Sequence, residues 1–352
     1  MKKIFKIIIS GPRTSGKTTL LHLLDGGKNL VNYNHDKFLQ LYDKLFIEDY
    51  REEYRADLIR KKSVVVKSRN LNKKKYLNIH ILKRKLYEIG YSWLESESFY
   101  NEAPAHFSLQ TFHQAKKHNF IFDFESFDKK IKNDIFKSSQ KYFFFEEIVD
   151  IYFLSYLKNW KNKKRSKVQN IIFKSPNEIN SIENALYELV ENKCIYIKRD
   201  ILGLTKSRAL DLNLRNKINI AYYFERILFS KYIENLKKNY ERIDNIQQKF
   251  KKKLYITSLE KLVFETKNEM KKIIKFLNLK NKSDYFYPSY NGIKSEKDHI
   301  EKINDDEIFI PEKLMNLFKL RVEGLSYYIQ NPSKFSLINL FKYLYIRVKN
   351  FF

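Results

Sequence analysis

"FKIIISGPRTSGKTTLLHLLDGG", residues 5–27, decides the fold. Its first six residues are a short apolar run, of the kind that fills a strand buried on both faces. From Lys17 onward the leucines recur at helical spacing, and Gly26-Gly27 supply a stop. Between the two lies G-P-R-T-S-G-K-T, Gly11 to Thr18, with the full spacing of a glycine-rich phosphate loop. In a strand–loop–helix setting, the backbone N–H groups and the helix N-terminus aim at one point, which suits phosphate oxygens. Gly11, Thr14, Ser15, Gly16, Lys17, Thr18 and Thr19 are therefore the candidate phosphate-binding residues. Lys17 can reach a bridging or terminal oxygen, and Thr18 can donate to another. The loop alone does not say which phosphate ligand is held or which group is transferred.

The remaining composition narrows the class. The 352 residues suffice for a sizeable core, and 43% hydrophobic residues exclude a disordered chain. No apolar run is long enough to span a bilayer. "MKKIFKIIIS" resembles a leader for a few residues, but Lys6 interrupts it and it runs into the glycine loop, so it reads as the first strand. The one cysteine, Cys194, lies in an apolar run and reads as a buried strand residue in a protein of the reducing cytoplasm. A net charge of +27 favours anionic partners. The basic residues are dispersed and accompany the Asn, Ile, Phe and Tyr excess of an AT-rich genome, and no nucleic-acid module is present, so no nucleic-acid partner is expected.

Further along, apolar runs alternate with amphipathic ones. "SVVVKS" (63–68), "HNFIFDFES" (118–126), "VQNIIFKSP" (168–176), "CIYIKRD" (194–200) and "KLYITS" (253–258) read as strands. "KYFFFEEIVDIYFLSYLKNW" (141–160), "EINSIENALYELVENK" (178–193) and the stretch beginning "LGLTKS" (202–207) read as helices, and a short turn and one long amphipathic helix follow the strand at 253–258, up to Leu279. This alternation predicts an α/β, three-layer fold with a central, mostly parallel sheet flanked by helices. One unit over 1–330 is expected, with a helical insert at about 40–120. A basic, aromatic, helical segment follows at 331–352. Its default is to dock on the domain; a contact with a second copy or with a membrane surface are the alternatives.

A second constellation lies in "IIFKSPNEI" and "CIYIKRDILGLTKSRALD". Arg199 closes an apolar strand and Ser207 follows eight residues later, in the first turns of a helix. Lys174 also stands at a strand end. Ligands of open α/β sheets bind at that edge, so these residues suit a phosphate monoester beside the loop.

This set resembles the sulfotransferases that use 3′-phosphoadenosine 5′-phosphosulfate. In that family a basic residue, a hydroxyl residue and Gly-Thr-Thr follow the first strand and hold the 5′-phosphosulfate. A strand ending in Arg-Asp, with Ser eight residues after the Arg, holds the 3′-phosphate. "IKRDILGLTKS" (197–207) matches the latter. "FKSP" (173–176), "LYITSLEKLVFETKNEMKKIIKFLNL" (254–279) and "YPSYNGIKS" (287–295) are similar to other parts of the family pattern, so the likeness runs over about residues 5–295. "PRTSGKTTL" (12–20) has one residue more than the family loop, which leaves either Arg13 or Lys17 as the cation on the sulfonate. Thr257-Ser258 stand where the family has acidic residues.

The resemblance implies sulfonate transfer to a hydroxyl or amine, with no metal required. Lys17, Arg13 and Lys174 would be the fixed cations, and a carbohydrate or glycolipid the acceptor. The family places an acceptor-activating base about twenty residues past the loop. "NYNHDKF" (32–38) offers Asp36 and His35 there, with His106 and Glu97 as alternatives. The rival reading is a kinase, with Lys17 on the β and γ phosphates, Thr18 on magnesium and Asp123 behind the metal. Such a kinase has no use for Arg199 and Ser207 at a second phosphate.

Overall fold

A computed structural model describes residues 3–25, 30–33, 39–46, 63–78, 81–82, 85–86, 124–159, 170–175, 179–216, 219–279, 285, 289–290, 293–294 and 310–351. Eight of its strands are, in chain order, β1 (Phe5–Ser10), β2 (Leu30–Tyr33), β3 (Ser63–Lys67), β4 (Lys74–Asn78), β5 (Tyr142–Phe144), β6 (Asn170–Lys174), β7 (Asn192–Lys198) and β8 (Leu254–Ser258). Five form the main sheet in the order β2-β6-β1-β7-β8, and every neighbouring pair is parallel. The fold is α/β, with helices covering both faces of this sheet.

The two-residue period of a strand divides the apolar runs between two cores. Ile8, Ile171, Phe173, Cys194 and Tyr196 face one side, against the helices Phe145–Lys158, Ile179–Glu188 and Tyr232–Lys249. Ile7, Ile9, Ile172, Ile195 and Ile197 face the other, against Lys17–Asp25, Leu259–Phe264 and Thr266–Leu277. Each such side chain contributes about 1.5–3 kcal/mol on leaving water. That is why the strands read as continuous apolar runs and not as alternating ones. Cys194 is fully buried, and burial pushes its thiol pKa up.

A third apolar cluster lies among the helices Ile201–Asn216, Ile220–Leu228, Glu312–Glu323, Ser326–Gln330 and Leu337–Phe351. Tyr343 of the last helix belongs to it, and Ile346 of the same helix is 1% exposed.

Within the expected insert at about 40–120, the strand expected at 63–68 is present as β3; it pairs antiparallel with β4, and β5 pairs in parallel with β3 to make a second, three-stranded sheet. Its turn is pinned from outside: Glu188 accepts hydrogen bonds from the backbone N–H groups of Arg69 (2.9 Å) and Asn70 (2.7 Å). Of the strand expected over 118–126, residues 118–123 lie outside the described residues, and 124–126 open the helix Phe124–Ile131, whose Phe127 and Ile131, one turn apart, both enter the core. The apolar run from Tyr142 is split: Tyr142–Phe144 pair with β3, and the helix starts at Phe145. After β8 the chain makes two helices, Leu259–Phe264 and Thr266–Leu277, instead of a turn and one helix.

The core holds charge as well. Lys6, 0% exposed, points from β1 towards the Phe145–Lys158 helix and forms ion pairs with Asp150 and, at 3.6 Å, with Glu146. Glu146 also accepts from Arg69 (2.5 Å) and from the backbone N–H groups of Val190 (2.8 Å) and Glu191 (3.1 Å). Burial pushes the Glu146 carboxyl up, but the hydrogen bonds from Arg69, Glu191 and Val190 and the Lys6 charge together hold it below its ordinary value. For Asp150, burial outweighs Lys6 and the carboxyl is raised. The depressed Glu146 therefore stabilises the fold above its ordinary value of 4.5, and this contribution is lost as pH falls through its lower folded value. Asp150 acts in the opposite sense, contributing below its ordinary value of 3.8 and losing that as pH rises through its higher folded value.

Two outcomes are expected in urea titrations. Lys6→Met leaves the buried Asp150 carboxylate without its cation, while Glu146 keeps Arg69, and should cost about 3–5 kcal/mol. Glu146→Gln should flatten the loss of stability on the acid side, measured as the unfolding midpoint against pH; an unchanged acid limb would assign that loss to other groups.

Candidate functional site

Because the main sheet is parallel, β1, β6, β7 and β8 all end at one edge. β1 lies between β6 and β7: the chain goes from β1 out to β2 and back to β6 on one side, then crosses β1 to β7 and β8 on the other. That is the switch point where open α/β sheets form their ligand crevice. Gly11–Gly16 turn over this point.

The loop is shaped by steric demands. Gly11 has φ +146°, and a Cβ there would lie 2.4 Å from the Ile197 carbonyl oxygen on β7. Only glycine lets the loop cross so close to the neighbouring strand. Thr14 and Gly16 also have positive φ, 64° and 89°. The Ser15 N–H donates to Pro12 O (3.2 Å), which closes the turn. The Ser15 side chain is buried, and its hydroxyl has no hydrogen-bond partner among the described residues. Lys17 opens a nine-residue helix, and its ammonium folds back to donate to Gly11 O (2.6 Å) and Pro12 O (2.9 Å). Thr18 and Thr19 follow on the first turn, half-buried, while Arg13 is exposed.

The second constellation is brought to the loop. Arg199, 6% exposed, follows β7 and its Nη1 donates to Thr14 O at 2.8 Å. Its backbone is clamped by one tyrosine: the Tyr240 hydroxyl accepts from Arg199 N (3.0 Å) and donates to Arg199 O (2.8 Å). Burial pushes the Tyr240 pKa up, with the hydrogen bond from the Arg199 backbone opposing it. Asp200 caps the next helix by accepting from Gly203 N (2.8 Å), and its own N–H donates to Glu260 at 3.0 Å.

The Arg-Asp pair thus divides its work. Arg199 goes to the loop, and Asp200 starts the helix that carries Ser207. Gly203 makes room for the guanidinium, since a Cβ there would lie 3.3 Å from Arg199 Nε. Ser207 is four residues on from Gly203, one turn along the same helix face, and half-buried. Arg208 stacks over Tyr232 at 5.1 Å. Burial raises the Tyr232 pKa, against the nearby Arg208 and Arg199 charges.

Lys174 is the last residue of β6, in register with Ile9 of β1, and the next residue, Ser175, donates its N–H to Ile9 O at 2.8 Å. It is half-buried at the same sheet edge. Thr257 and Ser258, which replace the family's acidic residues, have structural partners. Thr257 Oγ1 donates to Glu269 (2.7 Å), and Ser258 caps Leu259–Phe264. His35, Asp36, Glu97, His106 and Asp123 lie outside the described residues. Among the described residues no group of three or more His, Cys, Asp or Glu side chains is arranged to hold a metal ion.

Sequence reasoning missed Tyr240, Gly203 and Tyr232. Tyr240 is 41 residues from Arg199, in an ordinary amphipathic helix, and nothing local marks it. Gly203 could have been suspected, as a glycine inside a helical pattern often has a packing reason.

No protein-family description and no curated protein sequence matches the chain. Solved structures similar to it include the sulfotransferase domain from the curacin biosynthetic pathway, at 16% identity and TM-score 0.40, over 91% of each chain. Another is the sulfotransferase domain of the Synechococcus PCC 7002 olefin synthase, at 16% identity and TM-score 0.42, over 88% of this chain and 90% of that one. A third is the sulfotransferase STF1 of Mycobacterium tuberculosis H37Rv, at 10% identity and TM-score 0.37, over 86% of this chain and 74% of that one. These identities and scores are too low to transfer any residue's role.

The clamp is open to a direct check. Tyr240→Phe leaves the Arg199 N–H and C=O without their shared partner and should lower unfolding stability by roughly 1–3 kcal/mol, read from urea titration. A variant as stable as the parent would mean that Arg199 is held by its other contacts.

Proposed function

We propose that the chain is a sulfotransferase that takes its sulfonate from 3′-phosphoadenosine 5′-phosphosulfate and transfers it to a hydroxyl or amine, with a carbohydrate or glycolipid as the acceptor class. The observation that carries this is the meeting of the glycine loop and the Arg199 segment at one switch point. Arg199 is buried, clamped by Tyr240 and in contact with the glycine loop through Thr14 O. A donor phosphorylated at both the 3′ and 5′ positions needs two such elements, and a nucleoside triphosphate needs only the loop.

The residues fit the donor. The loop amides from Gly11 to Gly16, the helix N-terminus at Lys17 and the hydroxyls of Thr18 and Thr19 suit the 5′ end. The Ser15 hydroxyl, without a partner among the described residues, adds a donor in the same loop. Arg199 and Ser207 suit the 3′-phosphate, with Gly203 keeping the approach clear. The donor supplies an activated sulfonate with a phosphate leaving group.

In the transfer, the acceptor oxygen or nitrogen forms a bond to sulfur while the bond from sulfur to the bridging oxygen breaks. The electron pair stays on the departing phosphate, and the acceptor's proton leaves to a base, for which Asp36 and His35 are the candidates. Negative charge therefore grows on the bridging oxygen. A fixed cation there lowers the barrier because it is already oriented when the charge appears. Lys17 is the first candidate, since its ammonium already lies against the loop backbone at Gly11 O and Pro12 O. Arg13 and Lys174 stand at the same edge as further cations.

Thermal shift and titration calorimetry test the reading. 3′-Phosphoadenosine 5′-phosphate at a hundred times its dissociation constant should add about 2.7 kcal/mol of stability. Arg199→Ala should weaken that nucleotide roughly tenfold to a hundredfold, while adenosine 5′-phosphosulfate, which lacks the 3′-phosphate, should lose far less. Lys17→Ala should lower turnover by orders of magnitude, and turnover should persist in excess EDTA. Strong stabilisation by ATP with none by the 3′-phosphorylated nucleotide, and activity restored by magnesium, would establish the kinase instead.

A further inference from the structure

The Leu337–Phe351 helix has two apolar faces, and only one of them is used. Asn339, Tyr343 and Ile346, at 7%, 6% and 1% exposure, face the domain, and Tyr343 joins the third core cluster. Leu337, Ile338, Phe341, Leu344, Tyr345 and Val348 are 46–68% exposed. At 3.6 residues per turn these six fall within about 120° of the helix circumference, centred away from the docked face. A stripe that wide on a surface helix ordinarily faces a core. Outside this helix, Ile329 at 81% and Phe335 at 53% are exposed as well.

The charges around the stripe have one sign. Lys342 and Lys349 lie along one flank and Arg347 along the other, all exposed, and the helix contains no acidic residue. The whole chain carries +27. We propose that this face lies on a membrane surface bearing anionic headgroups, with the stripe set into the boundary between headgroups and acyl chains and the flanking cations on the lipid charges. An apolar face between cationic flanks is what such a surface selects. A second copy of the chain fits less well. A two-fold contact through this stripe would bring cationic flank against cationic flank, and the helix has no acid to offset them. Among the described residues no helix is long and apolar enough to cross a membrane, and the contact proposed is peripheral. It stands independently of the donor chemistry.

Vesicle co-sedimentation of the full chain tests it. The parent should pellet with equimolar phosphatidylcholine and phosphatidylglycerol, should not pellet with phosphatidylcholine alone, and should be released by salt. Phe341→Glu with Leu344→Glu should lower binding at least about tenfold, and so should Lys342→Glu with Lys349→Glu. All four residues are exposed, so the variants should keep the parent's thermal melt, and this is measured beside them. Failure of the parent to pellet with the anionic vesicles would overturn the proposal, as would variants that pellet like the parent. A parent dimer that Phe341→Glu dissociates, with no vesicle binding, would assign the face to a second copy and likewise overturn it.

Discussion

The site depends on one close approach, that of Gly11 to β7. β1 is the middle strand of a parallel sheet, and the chain must cross the edge at its end while passing within contact of the Ile197 carbonyl. No side chain fits between them, and the φ of +146° is one that residues with a Cβ rarely adopt. The crossing sets the loop over the switch point, puts Thr14 O within reach of Arg199, and starts the Lys17–Asp25 helix with its N-terminus facing the crevice. Were β1 at the edge of the sheet, the loop and Arg199 would have no common point.

The buried charge at Lys6 serves the same geometry from the other end of β1. A strand in the middle of a parallel sheet is flanked by apolar layers, and a lysine there is costly unless its partners are built in. Asp150 and Glu146 come from one helix, and Glu146 also gathers the backbone N–H groups of Val190 and Glu191 just before β7. The cluster therefore ties β1, the Phe145–Lys158 helix and the start of β7 to one another. Replacing such a cluster with apolar side chains can leave stability unchanged, so its contribution is better described as register than as strength.

Around this centre the chain carries two additions. The sheet β3–β4–β5 sets Val64, Val66, Leu77 and Phe143 into the first core, and Glu188 holds the turn of its hairpin at Arg69 and Asn70. The helices of the third cluster pack on one another, with Arg321 paired to Glu234, and the last of them keeps a second apolar stripe outward. Exposed apolar residues scattered singly need no explanation. A continuous stripe on one helix, between cations, does.

Several features were legible in the sequence because they rest on local rules. The glycine loop between strand and helix, the central parallel sheet, and the strand that ends just before Arg199 all follow from spacing, period and backbone geometry within a few residues. The capping of the Ile201–Asn216 helix by Asp200 belongs to the same class of local effect. What the sequence could not supply depends on which distant residues meet. Phe124–Ile131 became helix because two of its side chains reached the core. Tyr240 clamps Arg199 because its helix packs beside the end of β7. Lys6, an interruption in an apolar run by sequence, is buried because its partners lie on another element. The basic aromatic segment read as one amphipathic helix, and only packing decided which of its two apolar faces docks and which stays open. Periodicity shows that a face is apolar, but what covers it is set by the rest of the chain.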